Sequence, residues 1–171
     1  MILETAALIN KNEIFASLET YINQQGFQIV DKDEQRPWGG FFVLAESDAE
    51  KFIAAYFPHL TKKDLQISSK LSPKFLLVAP NKRLSWQYHH RRAEIWKLIA
   101  GEASVVSSDT DEEKIFRNLL PGDMVELQQG ERHRLVGLEN WGVVAEIWRH
   151  TSEEHPSDEN DIVRVQDDFG R

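Results

Sequence analysis

Between residues 65 and 149 the chain repeats one pattern: a short run rich in Val, Ile, Leu and aromatic residues, then a turn signal. The signals are Ser72-Pro73, Pro80-Asn81, Gly101, the polar stretch 107–111, Pro121-Gly122, Gly130 and Asn140. Breaks spaced by roughly 8–12 residues mark an antiparallel sandwich or barrel, in which each strand crosses the domain once and turns back. Strands are predicted near 74–79, 83–89, 93–100, 102–107, 114–119, 123–128, 132–136 and 142–149. Ahead of them the period lengthens. Within 12–25, Ile14, Phe15, Leu18, Tyr21 and Ile22 share one helical stripe, and Gly26 follows as a C-cap. A second helix is predicted at 48–57, with Asp48 near its start and Pro58 at its end. Between the two helices, Arg36-Pro37-Trp38-Gly39 precedes the apolar run 41–44. The stretch 151–160 is polar and acidic, a surface loop, and 161–171 regains a structured texture. The expectation is a mainly β chain: an N-terminal α/β extension over 1–64 and a β-barrel over 65–171.

Composition narrows the chemistry. With 20 Lys+Arg against 28 Asp+Glu the formal net charge is −8, which disfavours nucleic acid and anionic membranes as partners. There is no cysteine, so a metal would have to sit on nitrogen and oxygen donors. No apolar run reaches the roughly 20 residues of a membrane span. The opening residues lack the basic n-region of a signal peptide. A soluble, cytoplasmic protein is expected.

The segment 87–96, Gln-Tyr-His-His-Arg-Arg-Ala-Glu-Ile-Trp, concentrates such donors. On an extended strand Gln87 and His89 project to one face, while Tyr88 and His90 project to the other. Glu94 has the opposite parity to Gln87 and His89, and joins them only if a turn or bulge falls within 90–93. His133, just after Gly130, can supply a fourth donor. Two imidazoles with amide and carboxylate oxygens suit Zn, Mn, Fe, Co or Ni. The competing reading is a solvated edge formed by His90, Arg91 and Arg92.

The two segments resemble the paired motifs of the cupin superfamily. The first appears as Asn81, five residues, Gln87-Tyr88-His89, four residues, Glu94, six residues and Gly101. The second appears as Gly122, five residues, Gln128-Gln129-Gly130, two residues, His133, and Gly137 where Asn is usual. Gln in place of the first His is characteristic of mannose-6-phosphate isomerases. The chain most resembles the type II phosphomannose isomerase module, the C-terminal cupin of the bifunctional isomerase/pyrophosphorylases. The matching pieces are Arg36-Pro37-Trp38-Gly39, 83–87, 89–96, 130–134 and 161–171, which together span about four-fifths of the chain. Three positions depart from that family: Arg91 and Ile95 stand where it usually has His, and Phe75 replaces one member of a basic pair beside Lys74. The insertion between Trp148 and Asp161 is also longer than usual.

The resemblance implies a cupin double-stranded β-helix, or jelly roll, with an α-rich N-terminal extension. It also implies interconversion of mannose-6-phosphate and fructose-6-phosphate through an enediol(ate), by a homodimer acting on a small sugar phosphate. One divalent ion, zinc first among the candidates, would be held by Gln87, His89, Glu94 and His133. Phosphate would be bound by cations drawn from Lys74, Arg134, Arg164 and Arg171, although surface exposure is the commoner fate of such residues. For proton transfer, Lys74, His90 and Glu146 stand unranked, with Arg134 as a further catalytic candidate. Trp96, Leu98 and Ile99 read as core, Trp38 as a brace at the barrel mouth, and His59, His150 and His155 as surface residues. The alternatives are an isomerase or epimerase of a heptose or pentose phosphate, or a non-catalytic cupin that binds sugar or metal.

Overall fold

The computed structural model describes residues 3–65 and 70–171. Helix α1 (Lys11–Gln24) begins at a capping box: the Asn10 side chain accepts from the Glu13 backbone N–H, and the Glu13 carboxylate accepts from the Asn10 N–H. Two end donors that no helical carbonyl can reach are thereby satisfied. The expected stripe is real, with Ile14, Phe15, Leu18 and Ile22 buried. Strands β1 (Ile29–Asp33) and β2 (Gly39–Leu44) pair antiparallel before helix α2 (Ala49–Tyr56) and the short α3 (Lys62–Leu65).

The remaining strands are β3 (Lys74–Val78), β4 (Trp86–Tyr88), β5 (Arg92–Ser108), β6 (Ile115–Leu119), β7 (Met124–Leu127), β8 (Arg132–His150) and β9 (Val163–Gln166). One edge-to-edge path runs β1-β2-β3-β8-β4-β9. Strands β5 and β8 lie side by side for most of their length and exchange their outer partners along the way. β5 takes β7 at 94–97 and β6 at 103–107, while β8 takes β3 at 142–146 and β4 at His133. This exchange rolls the sheet around an interior. The result is the mainly β, antiparallel cupin architecture with an N-terminal helix.

Three strand assignments change. Segments 93–100 and 102–107 are one strand, and so are 132–136 and 142–149. Gly101 is a turn residue by composition, but here it sits in a bulge of β5. Its φ of +73° is one that side chains rarely adopt, and a Cβ would lie 1.8 Å from the Trp141 carbonyl oxygen. Asn140 likewise stays within β8, its backbone N–H donating to the Glu102 carboxylate at 2.8 Å. The predicted strand 83–89 contracts to β4 plus an isolated bridge between Arg83 and Val136. Strand β1 was not anticipated, because its sequence IVDKD is polar and mostly exposed.

Side-chain alternation divides the barrel wall into two faces. Phe75, Leu77, Ile95, Val143, Ala145 and Ile147 point outward into a cluster with the helical residues Phe15, Leu18, Phe52 and Tyr56. Phe75 meets Phe52 and Tyr56 edge-on, at centroid separations of 5.2 and 5.4 Å. Burying each of these large apolar side chains contributes on the order of 2–3 kcal/mol. The intervening residues Leu76, Val78, Trp96, Leu98 and Val144 point inward. By the same alternation the inward set includes Lys74, Glu94, Glu146 and Trp148. Helices therefore cover one face of the wall, and the polar side chains gather behind the other. Among the described residues no helix is long and apolar enough to cross a membrane.

Candidate metal centre

Three chain segments bring the donors together. Gln87 on β4 is the register partner of His133 on β8, and Glu94 lies at the start of β5. Between β4 and β5 the chain leaves the extended form at 89–91. That break is the turn that Glu94's parity required. His89 Nε2 lies 3.0 Å from Glu94 Oε1, and His133 Nε2 lies 3.4 Å from Glu94 Oε2. His89, Glu94 and His133 are each no more than 2% exposed, and their donor atoms all fall within 4.8 Å of one another.

The protonation pattern suits a cation. His89 Nδ1 faces the Asp161 carbonyl at 2.7 Å, and His133 Nδ1 faces the Glu131 carbonyl at 2.9 Å. A carbonyl only accepts, so in each neutral ring the proton resides on Nδ1 and the Nε2 lone pair is left facing Glu94. Burial lowers the His89 pKa by more than the neighbouring Glu94 raises it, which keeps that ring neutral. Burial also disfavours ionised Glu94, yet its carboxyl is held well below its usual range, and with both rings neutral the positive charge beside it is the Arg92 guanidinium, 2.9 Å from Oε1. His133 Nε2 is buried without a hydrogen-bond partner. Lone pairs and a carboxylate aimed at one point fit a divalent ion. Gln87 Oε1 accepts from the Ser85 hydroxyl at 2.6 Å, which orients the amide and leaves its second lone pair free.

A cavity of about 110 Å3 adjoins these donors, lined among others by Lys74, Gln87, Arg92, Glu94, Trp96 and Glu146. Glu146 is 4% exposed. Its Oε2 accepts from Trp96 Nε1 at 2.7 Å, and its Oε1 accepts from Trp148 Nε1 at 2.9 Å. Burial, then the negative charge of Glu94, pushes its pKa from 4.5 up to about 7, against the opposing charges of Lys74 and Arg92. Lys74 Nζ lies 3.9 Å from Glu146 Oε1 and 3.9 Å from the centre of the Trp148 ring. Arg36, Arg164 and Arg171 line the same cavity.

The mannose-6-phosphate isomerase C-terminal family matches residues 45–167. The chain belongs to that family. A relative within its reach is the alginate biosynthesis protein AlgA of Pseudomonas aeruginosa, 30% identical over 126 residues that make up 73% of this chain and 24% of AlgA. The chain thus spans about a quarter of that protein's length. Among solved structures, oxalate decarboxylase OxdC of Bacillus subtilis superposes with a TM-score of 0.56 at 19% identity, covering 81% of this chain and 31% of OxdC. The capsular polysaccharide assembling protein CapF of Staphylococcus aureus gives 0.55 at 11% identity, covering 91% and 37%. At such identities the likeness concerns the fold.

Placed on this isomerase-family fold, the sequence candidates separate. The donor atoms of His89, Glu94 and His133 lie together, Gln87 is the register partner of His133, and Gln87, Glu94, Lys74, Glu146, Arg164 and Arg171 border one cavity. Arg134 does not join them. It follows His133 on one strand and so faces the opposite way, with Nε donating to the Leu84 carbonyl and Nη1 to Glu113. His90 is likewise outside the cavity: it is exposed, packs edge-on to Tyr88 and donates its backbone N–H to Asp161. Arg171 is exposed and held by Asp167 at 2.9 Å. His150, expected at the surface, is 1% exposed because it ends β8 beneath the 151–162 loop, where its Nδ1 accepts from the Ser157 N–H.

Arg92, which the competing reading placed on a solvated edge, is 5% exposed. It bonds Glu94 Oε1 through Nε at 2.9 Å and stacks 3.7 Å from the Trp148 ring centre. Its position two residues before Glu94 on the same strand was the available signal, since i and i+2 share a face. Glu159 lacked any such signal, and Arg36 was marked only as part of the 36–39 piece that resembles the family. The departure at Ile95 does not reach the cavity, because that residue packs into the outer, helix-covered cluster.

Proposed function

We propose that this chain is a metal-dependent aldose–ketose isomerase of a sugar phosphate, interconverting mannose-6-phosphate and fructose-6-phosphate. One observation carries the reading: a buried donor set with unshared lone pairs adjoins a cavity that also holds a second buried carboxyl, Glu146, fixed by two indole N–H groups. A divalent ion held by Gln87, His89, Glu94 and His133, with zinc the first candidate, would act as a Lewis acid toward the substrate's carbonyl and hydroxyl oxygens.

The remaining steps belong to the chain. Glu146, buried in the cavity, is the group that takes a proton from one carbon and returns it to the next. The two tryptophan N–H groups fix its oxygens, so the carboxyl meets the substrate without first reorienting. Lys74, at the junction with the adjoining groove, is a cation for the substrate's phosphate. Arg36, Arg164 and Arg171 offer the substrate's phosphate a cationic rim. Trp38, Trp96 and Leu76 form an apolar wall of the cavity. The acting unit is proposed to be a cytoplasmic homodimer that takes free phosphosugar, with neither nucleic acid nor membrane as partner.

The test is conversion of mannose-6-phosphate to fructose-6-phosphate by the purified chain, with and without EDTA and metal add-back, beside heptose and pentose phosphates. Chelator-sensitive turnover of the hexose phosphate pair is expected. Turnover of another phosphosugar alone would reassign the substrate. Bound metal with no turnover of any sugar phosphate would replace the isomerase with a binding module.

A further inference from the structure

Lys74 is buried in the barrel wall with its side chain 5% exposed, yet its ammonium is paired with the carboxylate of Glu159, whose side chain is 64% exposed. Glu159 belongs to the 151–162 loop, the insertion that departs from the family pattern. The loop around it is firmly fastened. The Ser157 hydroxyl donates to Asp161 Oδ2 at 2.6 Å, Arg92 Nη1 donates to the Asp158 carbonyl at 2.9 Å, and the Ser157 N–H donates to His150 at 2.8 Å. Movement of Glu159 is therefore a matter of side-chain rotation toward solvent, with the loop backbone staying in place.

Its position gives that rotation a consequence. Lys74, Glu159, Arg36 and Phe41 line both the cavity of about 110 Å3 beside the donors and an adjoining groove of about 660 Å3. The Lys74–Glu159 pair stands at the junction between them. We propose that Glu159 is a specificity-determining residue: its carboxylate occupies the anion position on Lys74, and the substrate's phosphate must displace it to enter. A phosphate monoester brings up to two charges and three acceptor oxygens against the single charge of a carboxylate. A neutral sugar brings none and leaves the pair closed. The built-in competitor thus lowers affinity for every ligand but penalises unphosphorylated sugars most. The inference rests on entry of a phosphosugar into this cavity, but its test needs no turnover.

The test is calorimetric titration of inorganic phosphate into the full chain as wild type, Glu159→Gln and Asp158→Asn. Removing the competitor should tighten phosphate binding by about fivefold, the gain expected when an ion pair near the upper end of the exposed range no longer holds the site closed. Asp158→Asn makes the same charge change one residue away, on a carboxylate 3.8 Å from Arg91, and should leave the affinity within about twofold. Equal affinity in wild type and Glu159→Gln overturns the proposal, as does equal tightening in Asp158→Asn or no phosphate binding to any of the three. Tighter binding in Glu159→Gln without turnover of any sugar phosphate would sustain the competitor and remove the isomerase. Turnover with unchanged phosphate affinity would do the reverse.

Discussion

Raising the pH should weaken the metal-free fold through Glu146, and Glu146→Gln should remove that weakness. The unfolded chain releases this proton near 4.5, whereas the native chain holds it to about 7, because burial and then the charge of Glu94 oppose ionisation. Between those values the native state binds more protons than the unfolded state, so stability falls as the pH rises. The contribution is fully present below 4.5 and is gone above about 7. At about 1.4 kcal/mol per pH unit the loss comes to roughly 3 kcal/mol, or about 6–12 °C in Tm for a chain of this size. Urea unfolding of metal-free wild type and Glu146→Gln at about pH 5 and about pH 8 measures it, provided the change between the two pH values is compared across the two proteins. The loss of an acceptor for one tryptophan N–H in the variant is common to both pH values and drops out. So does the titration of His150, which burial first, and then the charges of Lys70 and Arg92, depress to about 4. An equal change in both proteins would refute the argument. Zinc supplies a second reading, since a cation on Glu94 favours ionised Glu146 and should flatten the wild-type dependence.

Three further outcomes are expected. His133→Ala and Gln87→Ala should each lower the metal content of the purified chain, measured by elemental analysis; a variant that keeps its full complement removes that residue from the donor set. Arg92→Met deprives buried Glu94 of its 2.9 Å partner and should cost the metal-free protein about 3 kcal/mol or more. Zinc at roughly a thousand times its Kd returns about 4 kcal/mol to the fold, and a melting deficit that zinc leaves unchanged would place the cation elsewhere. Gly101→Ala combines a left-handed φ of +73° with a contact of 1.8 Å to the Trp141 carbonyl. It should lower stability by about 2 kcal/mol or more, while chemical denaturation giving a loss under about 0.5 kcal/mol would show that the bulge relaxes.

Much of the fold was legible from local pattern. The stripe Ile14, Phe15, Leu18 and Ile22 and the alternation around Phe75 and Ile95 follow from periods of 3.6 and 2.0, which a chain carries whatever it packs against. The boundaries inside β5 and β8 were not legible. A glycine at a bulge and a glycine at a turn look alike until the neighbouring strand shows which carbonyl approaches it, as the Trp141 carbonyl approaches Gly101.

The sequence alone determined the donor types and the faces within one segment: Gln87 and His89 on one side, and Glu94 reachable only through a break at 90–93. These depend on covalent order and strand geometry, which are local. The tertiary structure decided which charges are buried and what each one meets. Arg134 turned outward to Leu84 and Glu113, and Arg92 turned inward to Glu94. Glu146 came to lie between two indoles, and Glu159 reached Lys74 across 85 positions. Desolvation and Coulomb energy depend on distances through space, and those exist only once β3, β5, β8 and the 151–162 loop have closed around one interior.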